Sequence, residues 1–274
     1  MIGIQEKTLV AIRFLRDLVV TGVAVCLLAT LFAVTAAKAH QRIPVKVGAY
    51  EYGVVYFYDD GKPQGMVLHL IRLLNDLQDE YVFELAETSS RRRYQDVTSG
   101  EVDLVLLESA QWEWRNLDVQ FSKSIVQEKD LYLTLAGPDN TDALLSDVTN
   151  YPILCVLGFH YGFADFNADP EYLRQNFDVL LRYNEQEVLD GLLAGEAPIG
   201  IVSAGFLAAR FVDYPSLRES LVISDQPDAV HDLVAVLSAG SSIPLERFNQ
   251  LIAKLQSTGE VERLWQQLHI GLSG

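Results

Sequence analysis

The stretch GEVDLVLLESAQWEWRNLDVQFS, Gly100–Ser122, decides how the rest of the chain is read. It opens on a polar turn, and its apolar run predicts a short buried strand over Asp103–Leu107. It then breaks into a Ser/Trp/Arg-rich loop around Arg115. A buried strand that ends in such a loop is how an open α/β sheet presents a ligand-contacting edge. Upstream, Val45–Ala49 reads as a strand, Met66–Gln78 as a helix with leucines at helical spacing, and Tyr81–Ala86 as a strand. Ser89 and Ser90 can cap a helix that begins with Arg91, Arg92 and Arg93 and stops at Gly100. The order β-α-β-α-β predicts a parallel sheet with helices on its faces.

The second half repeats the plan. Strands are predicted over Ile153–Leu157, Asp178–Arg182 and Pro198–Val202, with helices within Gly162–Gln175, over Glu185–Ala194 and over Phe206–Phe211. Lys129–Ala136 reads as an extended crossover and Gly137–Asn140 as a turn. Asp232–Leu237 reads as a strand returning to the first half, followed by terminal helices over Leu245–Gln256 and Glu260–Leu268. Two α/β units joined by crossovers leave a cleft between them, a favoured place for a small ligand. The expected divisions are 1–39, 40–128, a crossover at 129–142, 143–228, and a return segment at 229–274.

The first 39 residues differ in kind. Lys7, Arg13 and Arg16 precede an uncharged run from Leu18 to Ala37, and Ala37-Lys38-Ala39 supplies the small residues of a signal-peptidase site. Export to the periplasm with cleavage after Ala39 is the expectation. An uncleaved anchor is the alternative, because a run of about 20 apolar residues can span a bilayer. Cys26 has bulky Val25 before it and apolar sequence after it, which argues against a lipoprotein. The remaining Cys155 then has no cysteine partner within the chain, so stability must come from core burial.

The composition, 49% hydrophobic and 21% charged over 274 residues, is that of a folded chain. Removal of a leader with four basic and two acidic residues leaves 17 basic against 35 acidic, a net charge of −18. Such a surface repels phosphate backbones, so no nucleic-acid partner is expected. His40, His69, His160, His231 and His269 are scattered, with no metal-ligand spacing, and neither a metal nor a cofactor is expected.

Together these residues resemble the extracellular solute-binding proteins of family 3, the amino-acid type of periplasmic receptor that serves ABC importers. The most specific piece is Arg115-Asn116-Leu117-Asp118-Val119-Gln120-Phe121-Ser122. Gly61…Gly65 before the first helix, Gly100-Glu101-Val102-Asp103, Leu189…Gly195 and Thr258-Gly259 support it. The resemblance implies a monomeric, two-lobed α/β receptor, each lobe a mostly parallel sheet flanked by helices, closing on a solute in the cleft. It implies that Arg115 grips a ligand carboxylate. The family's Gly and Ser or Thr that complete the grip are replaced by Glu108 and Ala110, with Ser109 between them, and Glu108 would oppose an anion or pair with Arg115 when the site is empty.

The sequence departs from the family at two acidic positions, where Tyr50 and Ser203 stand. Without those carboxylates a buried ammonium would cost on the order of several kcal/mol. The expected solute is therefore anionic or aromatic rather than a standard amino acid. Candidate contacts besides Arg115 are Tyr50, Tyr52, Tyr56, Ser90, Arg92, Arg93, Glu108, Ser109, Trp112, Phe159, His160 and Ser203. The partner would be an ABC permease or a membrane sensor. A dehydratase-like enzyme on the same fold, using Glu108, His160 and Asp165 as acid/base groups, is the rival reading.

Overall fold

The computed structural model describes residues 41–137 and 141–272. The expected leader and most of the turn at 137–140 lie outside them. The chain divides into two units, Met1–Arg42 and Ile43–Gly274, and the second carries everything that follows. Among the described residues no helix is long and apolar enough to cross a membrane.

In the first half, β1 (Ile43–Ala49) lies between β4 (Tyr81–Glu87) and β5 (Leu104–Ser109), parallel to both. The aromatic segment after β1 leads into a hairpin, β2 (Phe57–Asp59) and β3 (Lys62–Gln64), which the sequence shows only as a turn. Helix α1 (Met66–Leu77) buries Met66, Val67, Leu70 and Leu74, the one-sided spacing expected of a helix laid on a sheet. Helix α2 (Arg93–Ser99) starts two residues later than expected. Ser89 accepts the Arg92 N–H at 3.1 Å, and Gly100 closes the helix in the left-handed conformation.

Strand β5 runs two residues past its expected end. Leu107 takes a positive φ of 61° inside it, and pairing with the facing strand shifts register at the same place. A bulge of this kind re-aims the next side chain. Here that side chain is Glu108.

Two ten-residue strands cross between the halves: β7 (Val126–Leu135), which follows the short β6 (Val119–Phe121), and β12 (Ala229–Ser238). They pair antiparallel over Val126–Asp130 and Ala229–Leu233. Beyond that, β12 pairs with β5 and β6, while β7 pairs with β10 (Ile199–Ser203) and β11 (Leu221–Ile223). β8 (Ile153–Val156) and β9 (Val179–Arg182) continue outward from β10 in parallel. The result is one mixed sheet whose two ends are separate parallel arrays, each with its own apolar core.

After the short α3 (Thr141–Ser146), the helices of the second half are α4 (Pro170–Asn176), α5 (Glu185–Leu193), α6 (Ala204–Asp213) and α7 (Leu217–Ser220). Asp169, Asn184 and Ser203 cap α4, α5 and α6 by accepting N–H bonds three residues ahead. Helices α8 (Leu245–Ser257) and α9 (Glu260–Leu268) pack back on the first half through Phe248, Leu251, Ile252 and Trp265.

Candidate functional site

The loops that leave β1, β5 and β8 meet α2 around a single guanidinium, that of Arg93. It is 1% exposed, at the start of α2. Its Nε donates to Glu108 Oε2 at 2.9 Å and its Nη2 to the Tyr94 hydroxyl at 2.6 Å. Trp114 Nε1 donates to the same Glu108 oxygen at 2.8 Å. The guanidinium carbon lies 4.6 Å from the Tyr50 ring centre, 4.3 Å from Tyr94 and 5.5 Å from Trp112, an aromatic surround that favours a cation. Burial is the largest influence and works against its charge, but Glu108, Tyr50 and Tyr94 together outweigh it and hold the pKa above the ordinary arginine value.

Opposite stand Gly158, Phe159 and His160, on the loop after β8. His160 stacks on Trp112 with ring centres 5.5 Å apart. Burial, with Arg93 nearby, pushes its pKa down to about 3, so the imidazole is neutral at pH 7. Tyr52 lies edge-on to Phe159 at 5.3 Å and to Trp112 at 5.8 Å. These groups close over a cavity of about 10 Å³ lined also by Tyr50, Arg93 and Asp130, the space of a single water molecule. Three of the lining side chains carry a buried polar atom without a hydrogen-bond partner: Arg93 Nη1, Trp112 Nε1 and the Tyr52 hydroxyl. Behind Arg93, Glu108 Oε1 is also unpartnered. Buried polar groups are normally satisfied, and each orphan costs roughly 1–3 kcal/mol.

A larger cavity of about 310 Å³ shares Tyr52 and Phe159 with the first. Its walls include Tyr56, Phe57, Tyr58, Phe206 and Arg210. Tyr56, 2% exposed, donates to Glu87 at 2.8 Å and so contributes a ring face here rather than a hydroxyl.

The lining also includes Glu185, the first residue of α5. One carboxylate oxygen accepts the Gly53 N–H from the β1 loop at 2.7 Å, and the other accepts the Ser203 N–H at 2.6 Å. Burial pushes its pKa up to about 7, against the N–H bonds that favour the anion. A carboxyl group with a folded pKa above its unfolded one stabilises most fully below the unfolded value, near 4.5. Stability should therefore fall as pH rises from about 4.5 to about 7, by on the order of 3 kcal/mol for this group. Urea melts of wild type and Glu185→Gln across that range should show the slope in wild type and its loss in the variant. Parallel slopes would refute the assignment.

The structure does not bring Arg115 to either cavity. Trp112, just before the short helical turn over Glu113–Asn116, and Trp114 within it are buried, and Arg115 between Trp114 and Asn116 is exposed. The buried guanidinium is Arg93. Arg92 is also exposed and pairs with Asp96 at 3.4 Å. Ser109 is used by its own turn, accepting the Gln111 N–H at 3.2 Å, and Ser203 Oγ caps α6. Ser90 lies against Gly158, where a Cβ would come within 3.4 Å of its Oγ. Asp165 is exposed and lines neither cavity.

A cleft without a compensating carboxylate is not what the chain builds either. Asp130, from the crossing strand β7, lines the inner cavity and pairs with His231 Nε2 of β12 at 3.0 Å. In Val126–Asp130 and Ala229–Leu233 every second residue is buried, and Glu128, Asp130 and His231 fall on the buried register. Among the described residues no group of three His, Cys, Asp or Glu side chains is placed to hold a metal.

No family model and no curated protein matches the chain. Solved structures do. A putative binding component of an ABC transporter from Wolinella succinogenes, complexed with lysine, superposes with a TM-score of 0.64 at 19% identity, over 82% of this chain and 95% of that one. A histidine kinase sensor domain with similarity to periplasmic binding proteins gives 0.63 at 19% identity, over 84% and 96%. An ancestral amino acid-binding protein, described as a precursor of cyclohexadienyl dehydratase, gives 0.60 at 16% identity, over 82% and 95%. These likenesses establish the α/β, two-lobed binding-protein fold.

Proposed function

We propose that this chain, which has the fold of the two-lobed periplasmic binding proteins, is a divergent family 3 solute receptor without catalytic activity. It captures a small organic anion in the cleft and works in the periplasm, delivering the solute to an ABC-type permease. One lobe is 40–128 with 229–274, the other is 143–228, and they close about the paired strands β7 and β12.

The carrying observation is that three side chains lining the inner cavity, Arg93, Trp112 and Tyr52, each carry a buried donor without a partner. Asp130, the carboxylate in the same lining, is paired with His231, so the donors left over call for a ligand rich in acceptors, and a carboxylate meets a guanidinium fork and an indole N–H at once. The cavity as closed holds only a water-sized group, so the solute's polar end enters as the lobes part. Likeness to a kinase sensor domain supports a second outlet, in which the same capture feeds a membrane sensor.

A thermal-shift screen of the protein against small carboxylates, amines and sugars tests the reading. Carboxylates should raise Tm, and Arg115→Ala should leave that shift unchanged. Stabilisation by amines or sugars alone, or turnover of a bound compound, would refute it.

A further inference from the structure

The two cavities differ in what their polar groups have left to offer. In the outer one, both Glu185 oxygens are occupied by backbone N–H groups, and the Tyr56 and Tyr58 hydroxyls are bonded to Glu87. Arg210 is paired with Asp213 at 2.7 Å, its Nη1 lies 3.5 Å from Gln186, and its guanidinium lies 5.7 Å from the Phe206 ring, although its Nε has no partner. Apart from the exposed Glu51 and Tyr183, the outer cavity therefore offers a solute chiefly ring faces, while the inner one has unspent donors in its lining. Only Tyr52 and Phe159 line both, so their edge-on contact is the partition between them.

We infer that the two cavities are one elongated site and that the solute is an aryl or similarly apolar-tailed carboxylate. Its charged end lies at Arg93 and Trp112, and its tail lies in the outer chamber past a displaced Tyr52–Phe159 contact. This rests on the receptor reading above and adds the class of solute. The outer volume, about 310 Å³, falls in the range of small-molecule pockets. The inner one is water-sized as it stands and takes a carboxylate only as the Tyr52–Phe159 contact opens.

Tryptophan fluorescence titrations with acetate, phenylacetate and hydrocinnamate test it, using full-length wild type, Phe206→Ala, Phe57→Ala and Arg93→Lys. Hydrocinnamate should bind wild type at least about tenfold more tightly than acetate, the worth of one good aromatic contact. Phe206→Ala and Phe57→Ala should each remove most of that gain and leave acetate unchanged. Two variants on separate elements guard against one that misfolds. Equal affinity for acetate and hydrocinnamate, a gain that survives both variants, or no saturable binding by any of the three would overturn the inference. If acetate and hydrocinnamate bind equally but both weaken in Arg93→Lys, the receptor reading stands and the two-chamber site falls. If the tail gain persists but Arg93→Lys weakens nothing, the role of Arg93 falls instead.

Discussion

Replacing Glu108 with alanine is expected to lower the unfolding free energy by about 3–5 kcal/mol, because it leaves the Arg93 guanidinium charged and buried without its counter-ion. Glu108 is fully buried, takes hydrogen bonds from both Arg93 and Trp114 through one oxygen, and is set in place by the positive-φ bulge at Leu107. Removing both charges is a different matter. A buried ion pair repays little more than its own desolvation, so Arg93→Met with Glu108→Leu should cost less than Glu108→Ala alone. Urea denaturation of wild type, Arg93→Met, Glu108→Leu and their double variant, a double-mutant cycle, with Glu108→Ala alongside, measures this. Additive single costs would show that the two charges do not depend on each other.

The second large effect is on binding. Against whichever carboxylate the thermal-shift screen selects, Arg93→Met should weaken affinity by about a hundredfold, the low end of truncating a buried, hydrogen-bonded charge. Arg93→Lys should recover part of this, since an ammonium keeps the charge but loses the planar fork. Because Arg93→Met also strands Glu108, the double variant with Glu108→Leu provides the control. It should fold and still fail to bind, as read by isothermal titration. Binding of wild-type strength in the double variant would remove Arg93 from the site. Arg115→Ala should bind as wild type does, since that side chain is exposed and lines neither cavity.

The contrast between the two arginines shows where reading along the chain stops. Family spacing selects Arg115, and nothing local disputes it. What displaces it is a hydrogen bond, from Trp114 Nε1 to Glu108, that pulls every second residue of Gln111–Arg115 inward and turns the others out. Arg93 stood among three adjacent arginines of similar promise. Helix geometry then placed one of them under the β1 and β5 loops and left Arg91 and Arg92 exposed. Asp130 and His231 are a different kind of miss. Asp130 was read within the extended crossover Lys129–Ala136 and His231 only as one of five scattered histidines, because hydropathy does not alternate over Val126–Asp130 or Ala229–Leu233 as burial does. The buried acids also change the electrostatics of the cleft, which net charge alone could not describe.

The sequence by itself determined the fold, because hydrophobic period, caps and glycine stops are local and each repeated element carries its own copy. α1 and α5, the parallel strands of each half and the two long crossovers all follow from such signals. The site was decided only by tertiary structure. Its members come from the loops after β1, β5 and β8, from the start of α2 and from both crossing strands, and no local pattern specifies how those separate segments meet. A buried charge is tolerated only where its partner also arrives, so which arginine is buried is a property of the assembled fold and not of any one segment.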